Sequence, residues 1–204
     1  MWHVLQLNDF IISAKIVEEV NTGWYLDSFM HDLELEDKKI RFEAMKQYTV
    51  WNGKEDVVKE KKEITWVHPD GVLFFRKKME TGKIRQAVYF VELDRGTEAT
   101  GVIREKIRKY YYAITSGVLA KHFDILHIHG ILFTTTSKSG DRVKELQKSA
   151  MTVLGGLHAK KDIIDLFLFN EQEARITGID TKQTFFEPVW KLSLKETPAI
   201  ALLT

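Results

Sequence analysis

The chain has no cysteine among its 204 residues. That excludes disulfide frameworks, thiolate zinc sites and cysteine nucleophiles together, so any metal must rest on carboxylates or histidines. No uninterrupted apolar run approaches the roughly 20 residues of a membrane helix. The opening MWHVLQLNDF lacks a basic region followed by an apolar one. The expectation is a cytoplasmic protein with no membrane partner. An excess of charge of either sign is missing too: 30 basic and 29 acidic residues leave a formal net charge of +1. The field of the whole molecule therefore does not steer it onto a polyanion, and any contact with DNA must rest on a local patch. The sequence carries no internal repeat and no low-complexity segment.

What is present is ordinary globular composition, 44% hydrophobic and 29% charged, at a length that suits one domain over residues 1–204. Capping-type residues Asn8-Asp9 followed by FIISAKIVEEV and then Asn21-Thr22-Gly23 predict a first helix. Residues 24–36 have no clean period and stay open. Residues 40–51 read as weakly helical and then strand-like, and NGKEDVVKEKKE as a solvated turn and charged connector. ITWVHPDGVLFFRKK, β-branched and aromatic around Pro69-Asp70-Gly71, predicts two short strands or one bent strand. After the turn Thr81-Gly82-Lys83, the run RQAVYFVELDRG alternates, with Val88, Phe90, Glu92 and Asp94 on one face and Tyr89, Val91 and Leu93 on the other. A hairpin of these two runs is the simplest pairing.

From Gly96-Thr97 to about Gly117, Ile103, Ile107, Tyr110, Ile114 and Val118 fall on one helical stripe, with Lys106 at its margin. DILHIHGILFTTT then reads as a buried strand, SKSGDRVKELQKSAMTVLGG as a helix and DIIDLFLFN as another buried strand. Alternating strands and helices are the parallel-crossover signature of an α/β fold, a mixed sheet flanked by helices. The segment from Phe185 through PVWKLSL is expected to add an edge strand.

Three carboxylates stand out. Glu92 and Asp94 are two residues apart on one strand face, roughly 6.6 to 6.8 Å by strand rise, and the hairpin brings Asp70 towards them. Converging carboxylates at the end of a small sheet suit Mg²⁺ or Mn²⁺, with Asp70, Glu92 and Asp94 as ligands. The plainer readings are a turn residue for Asp70, and a solvated strand face or a structural ion pair for Glu92 and Asp94. His127 and His129 sit at strand spacing, with His122 and His158 further off, but no third ligand follows from spacing. Core or rim histidines are the better reading there. Basic clusters occur at Arg76, Lys77, Lys78, Lys83 and Arg85, and at Arg104, Lys106, Arg108 and Lys109. Arg76, Lys77, Arg95, Arg104 and Lys109 are the candidates for DNA phosphate contacts, against an ordinary solvated face. Tyr111 and Tyr112 could stack on bases, whereas Tyr110 belongs to the apolar stripe.

A D-G strand followed by an E-x-D strand, a helix and a parallel strand resembles the PD-(D/E)XK nuclease superfamily. More narrowly, HVLQLNDF, VHPDGVLFF, YFVELDRGTE with the downstream KIRKYY, and PVWKL resemble the replication-relaxation family of plasmid and mobile-element proteins. Members of that family typically carry a winged-helix DNA-binding segment ahead of this domain. The resemblance implies a DNA-processing protein of plasmid or mobile-element replication, and a magnesium- or manganese-dependent endonuclease or nicking enzyme. Asp70 would supply the first half of the motif and Glu92 the second. Asp94 occupies the place of the expected lysine, and Lys106 is the candidate for a migrated one, ahead of Lys77 and Lys78. The alternative is a catalytically inactive, nuclease-like DNA-binding or scaffolding module, with a protein-interaction domain as a third reading. A homodimer or a replication-protein partner would be compatible with either of the first two.

Overall fold

The structure, a computed structural model, describes residues 2–20, 22–31, 34–35, 40–51, 53–136, 141–171, 180–193 and 198–204. Two sheets organise the chain. The larger is six-stranded: β1 (Trp24–His31), β4 (Gly71–Lys78), β5 (Ile84–Asp94), β6 (Gly130–Thr135), β7 (Phe167–Glu171) and β8 (Lys191–Leu192) lie side by side in that order. β5, β6 and β7 are parallel, and the β1–β4, β4–β5 and β7–β8 pairs are antiparallel. The smaller sheet is a ribbon of β2 (Ile40–Trp51) and β3 (Asp56–Val67), paired in unbroken register from Ile40 with Val67 to Trp51 with Asp56.

Helix α1 (Trp2–Lys15) leads into β1 through a 3-10 segment, Ile16–Val20. Helix α2 (Thr100–Thr115) and the short α3 (Val118–His122) connect β5 to β6. Helix α4 (Arg142–Gly156) and the short α5 (Lys161–Ile164) connect β6 to β7, and α6 (Thr181–Phe186) precedes β8. The sheet is covered on both faces. α2, α4 and the base of the ribbon enclose Val88, Phe90, Ile131, Phe133 and Phe169. α1 and the C-terminal segment enclose Phe75, Tyr89, Val91, Leu132 and Trp190 on the other face. This double cover explains why β5 is buried without interruption from Ala87 to Asp94, as parallel sheets require. Each fully buried Phe of that core is worth roughly 1.5–3 kcal/mol.

The β4–β5 hairpin forms as expected, closed by Met79 N–H donating to the Lys83 carbonyl and Gly82 N–H to the Met79 carbonyl, both at 2.9 Å. Gly82 stands at φ +78°, where a side chain would be strained. The alternation along β5 and the crossover order also agree, and β8 is the edge strand.

Other elements differ. α1 begins at Trp2, placing Asn8 and Asp9 in its interior, because Leu7, Phe10, Ile11 and Ala14 form one buried stripe that carries the helix past the capping pair. Residues 40–51 are strand throughout, and the charged connector is most of β3. The distal part of β3 has no apolar period because it is largely exposed. The histidine strand begins only at Gly130, so His127 and His129 are not paired on a strand face. The His129 ring is instead an acceptor, taking the Val88 N–H on Nδ1 at 3.1 Å. Position 130 suits glycine, because an added Cβ would come within 2.9 Å of Leu168 and 3.2 Å of Tyr89. DIIDLFLFN divides into α5 and β7. Asn21, residue 36 and the expected helix start at 137–140 lie outside the described residues.

Candidate active site

The site is assembled where β4 begins, β5 ends and α2 folds back over the sheet. Register places Gly71 opposite Val91, so Asp70 stands beside Glu92. The Asp70 N–H donates to the Val91 carbonyl at 3.0 Å, and its Oδ2 accepts the Leu93 N–H at 2.7 Å. The aspartate thus continues the β ladder through its side chain and is held by the strand that carries Glu92.

Glu92 lies under α2, 3% exposed. The Tyr110 hydroxyl donates to Oε1 at 2.6 Å, and the Lys106 ammonium stands 3.0 Å from Oε2. Lys106 and Tyr110 are one turn apart, which is why one helix reaches both oxygens. Oε2 is buried and has no hydrogen bond, so its contact with Lys106 is an ion pair. Lys106 also reaches Glu98 Oε1 at 2.8 Å. Burial pushes the Glu92 carboxyl up to about 7, with Lys106 pulling it down, Asp70 adding to the rise, and the Tyr110 hydroxyl pulling it down. Burial alone would lower the Lys106 ammonium, but the neighbouring Glu92 and Glu98 carboxylates hold it above its ordinary value, so it is cationic across physiological pH. Burial, followed by Glu92, raises the Tyr110 phenol, which stays protonated and able to donate.

Asp94, two residues on, is engaged elsewhere. Arg142, at the start of α4, donates to it bidentately, Nε to Oδ2 at 2.6 Å and Nη2 to Oδ1 at 3.0 Å. Nη2 also donates to the Glu98 carbonyl at 2.8 Å, and Nη1 to Glu145 at 3.0 Å. Gly96 N–H closes the turn on Asp94 Oδ1 at 3.1 Å. Asp94 and Arg142 are 3% and 7% exposed. The geometry is that of a buried structural clasp joining the β5 exit to α4.

Residues 25–127 match the model of the family described as Replication-relaxation. The chain belongs to the replication-relaxation family. The matched segment runs from β1 to just before β6 and includes Asp70, Glu92, Glu98, Lys106 and Tyr110. Membership ties the chain to plasmid or mobile-element replication or relaxation. No curated protein and no solved structure matches it.

Within this replication-relaxation core, Asp70, Glu92 and Lys106 come together and Asp94 does not join them. No three of the His, Asp and Glu residues form a metal-holding group among the described residues. The oxygens that fit a divalent cation are those of Asp70 and Glu92, the Glu92 Oε2 being buried without a hydrogen bond but ion-paired with Lys106 at 3.0 Å. Water would complete the shell, as magnesium prefers. Both Asp94 oxygens are occupied by Arg142.

The basic candidates are dispersed. Arg76 pairs with Asp27 at 3.2 Å and Lys77 lies 5.7 Å from the Trp24 ring. Both stand near the far end of β4, roughly 20 Å along the strand from Asp70. Arg95 is exposed just after β5. Arg104 and Lys109 are on α2, with Lys109 4.8 Å above the Trp66 ring.

Three residues escaped sequence reasoning. Tyr110 is core as expected but also a hydrogen-bond donor, and its i, i+4 spacing from Lys106 was the available signal. Glu98 was in view inside the ELDRGTE box. Arg142 carried no local signal, being 48 residues from its partner.

Proposed function

We propose that the chain is a metal-dependent DNA endonuclease or nicking enzyme with a PD-(D/E)XK-like core. Asp70 and Glu92 would hold Mg²⁺ or Mn²⁺, and Lys106 would serve as the migrated lysine. The observation that carries this reading is the approach of Lys106 to 3.0 Å from Glu92, from the helix that follows the strand whose lysine position is taken by Asp94. The bound metal would supply positive charge and lower the pKa of a water. Asp70 would orient its ligand oxygen through the Leu93 amide. Tyr110 would fix one Glu92 oxygen, and Lys106 would give up the other to the metal. Lys106, permanently cationic, would donate hydrogen bonds to the attacking water or to the scissile phosphate as charge builds there.

Incubating supercoiled plasmid with magnesium or manganese tests this. The expected result is nicked or linear product, reduced roughly 10²–10⁴-fold in Glu92→Gln and Lys106→Met proteins. Cleavage undiminished in both variants would sink the assignment.

A second reading, a nuclease-like DNA-binding or scaffolding module without catalysis, is favoured by one observation. Lys106 is already shared between Glu92 and Glu98, so the site is charge-compensated without a metal. DNA binding with no cleavage under either metal would decide for it.

A further inference from the structure

Helices α2 and α4 leave a groove of about 370 Å³ on their outer side, lined by Arg104, Arg108, Tyr112, Thr152, Gly156 and Leu157 among others. None of its lining residues is acidic. Arg104, Arg108 and Tyr112 are spaced i, i+4 and i+8, a single stripe roughly 12 Å long on one helix. The Arg104 Nε is buried without a hydrogen-bond partner. Arg108 donates to Glu105 at 2.6 Å. Tyr112 is half-buried and also lines a second groove of about 220 Å³ between α2 and the ribbon, where Glu63 and Glu105 line the wall and Lys109 covers the half-exposed Trp66. Two arginines followed by one aromatic ring along an acid-free groove suit a single strand, with the arginines on the phosphates and the ring on an unpaired base face.

We propose that this groove binds single-stranded DNA, with Tyr112 as the stacking platform and Arg104 and Arg108 as phosphate contacts. The inference rests on the DNA-processing reading of the chain but not on cleavage. The groove would grip the strand that opening a duplex releases.

The test is fluorescence anisotropy of a labelled oligothymidine and of a duplex of equal length, in EDTA, with the whole chain. The parent should prefer the single strand. Tyr112→Leu should weaken binding roughly tenfold while Tyr112→Phe, which keeps the ring, restores it. Arg104→Ala should lower the salt dependence by about one phosphate contact. Gly156→Gln fills the groove without harming the fold, because a Cβ at Gly156 meets nothing within 4 Å, and it should weaken binding as much as Tyr112→Leu. A parent that prefers duplex, or groove variants that bind like a parent with single-strand affinity, would overturn the groove alone. A parent that binds no DNA at low salt would overturn the DNA-processing reading with it.

Discussion

Tyr110 and Lys106 hold opposite oxygens of one buried carboxylate, so each can be removed separately with a different consequence. Tyr110→Phe keeps the ring in the core and deletes only the donor to Glu92 Oε1. The expected cost is about 1–3 kcal/mol in denaturant unfolding, together with a further rise of the Glu92 pKa. Glu92 itself titrates from an ordinary 4.5 to about 7 in the fold. A carboxyl raised in the folded state binds its proton more tightly there than in the unfolded chain. The stability it lends is therefore complete below about 4.5 and is lost as pH rises through about 7. Thermal melts between pH 5 and pH 8 should show this decline, and Glu92→Gln should flatten it. A parent and variant with parallel pH profiles would contradict the shift. Metal binding should run the opposite way, tightening as pH rises through 7 and Glu92 ionises.

The α4 start and the β5 exit are joined by one guanidinium, which makes Arg142 the point where two elements depend on each other. Arg142→Met leaves Asp94 buried and unpaired, and the expected loss is about 3–5 kcal/mol. Asp94→Asn with Arg142→Met together should recover part of that loss, a coupling readable in a double-mutant cycle. Because Arg142 also holds the Glu98 carbonyl, its loss should loosen the Glu98–Lys106 pair as well. Elements of this kind divide cleanly by how much of them could be read in advance. The β4–β5 hairpin and α2 were legible because their apolar periods and the Thr81-Gly82-Lys83 turn are local signals. The ribbon was not, since Lys59, Glu60, Lys61 and Lys62 give β3 no apolar alternation where it is solvated. Nor was the fate of Asp94, because its partner is supplied by tertiary approach. Asp70 beside Glu92 was legible through hairpin pairing, whereas Lys106 could be named but not placed, its position depending on how α2 crosses the sheet.

At the scale of the molecule, β5 is the strand about which the rest is built, hydrogen-bonded to β4 on one side and β6 on the other and buried on both faces. Its amides from Val88 to Leu93 should exchange with deuterium only through global unfolding, while those of the distal ribbon exchange first. Comparable protection in the two would mean that the ribbon is far more covered than its exposure indicates. The net charge of +1 leaves DNA affinity to local surfaces, so binding should be governed by a few phosphate contacts and not by the whole-molecule field.

The ribbon interrupts the main sheet in sequence, because β1 pairs with β4 across the whole of β2 and β3. Its tip, around Gly53 at φ +94°, has open space about it and exposed neighbours. A peptide cut there would yield an amino-terminal piece ending in β2 and a carboxyl-terminal piece beginning near β3. Each half would still own one strand of two separate ladders, β1 with β4 and β2 with β3. Expressed as two polypeptides split at Gly53, the chain should reassemble by fragment complementation and co-purify as a heterodimer, its permitted seam lying about as far along the ribbon from the carboxylate site as the ribbon is long.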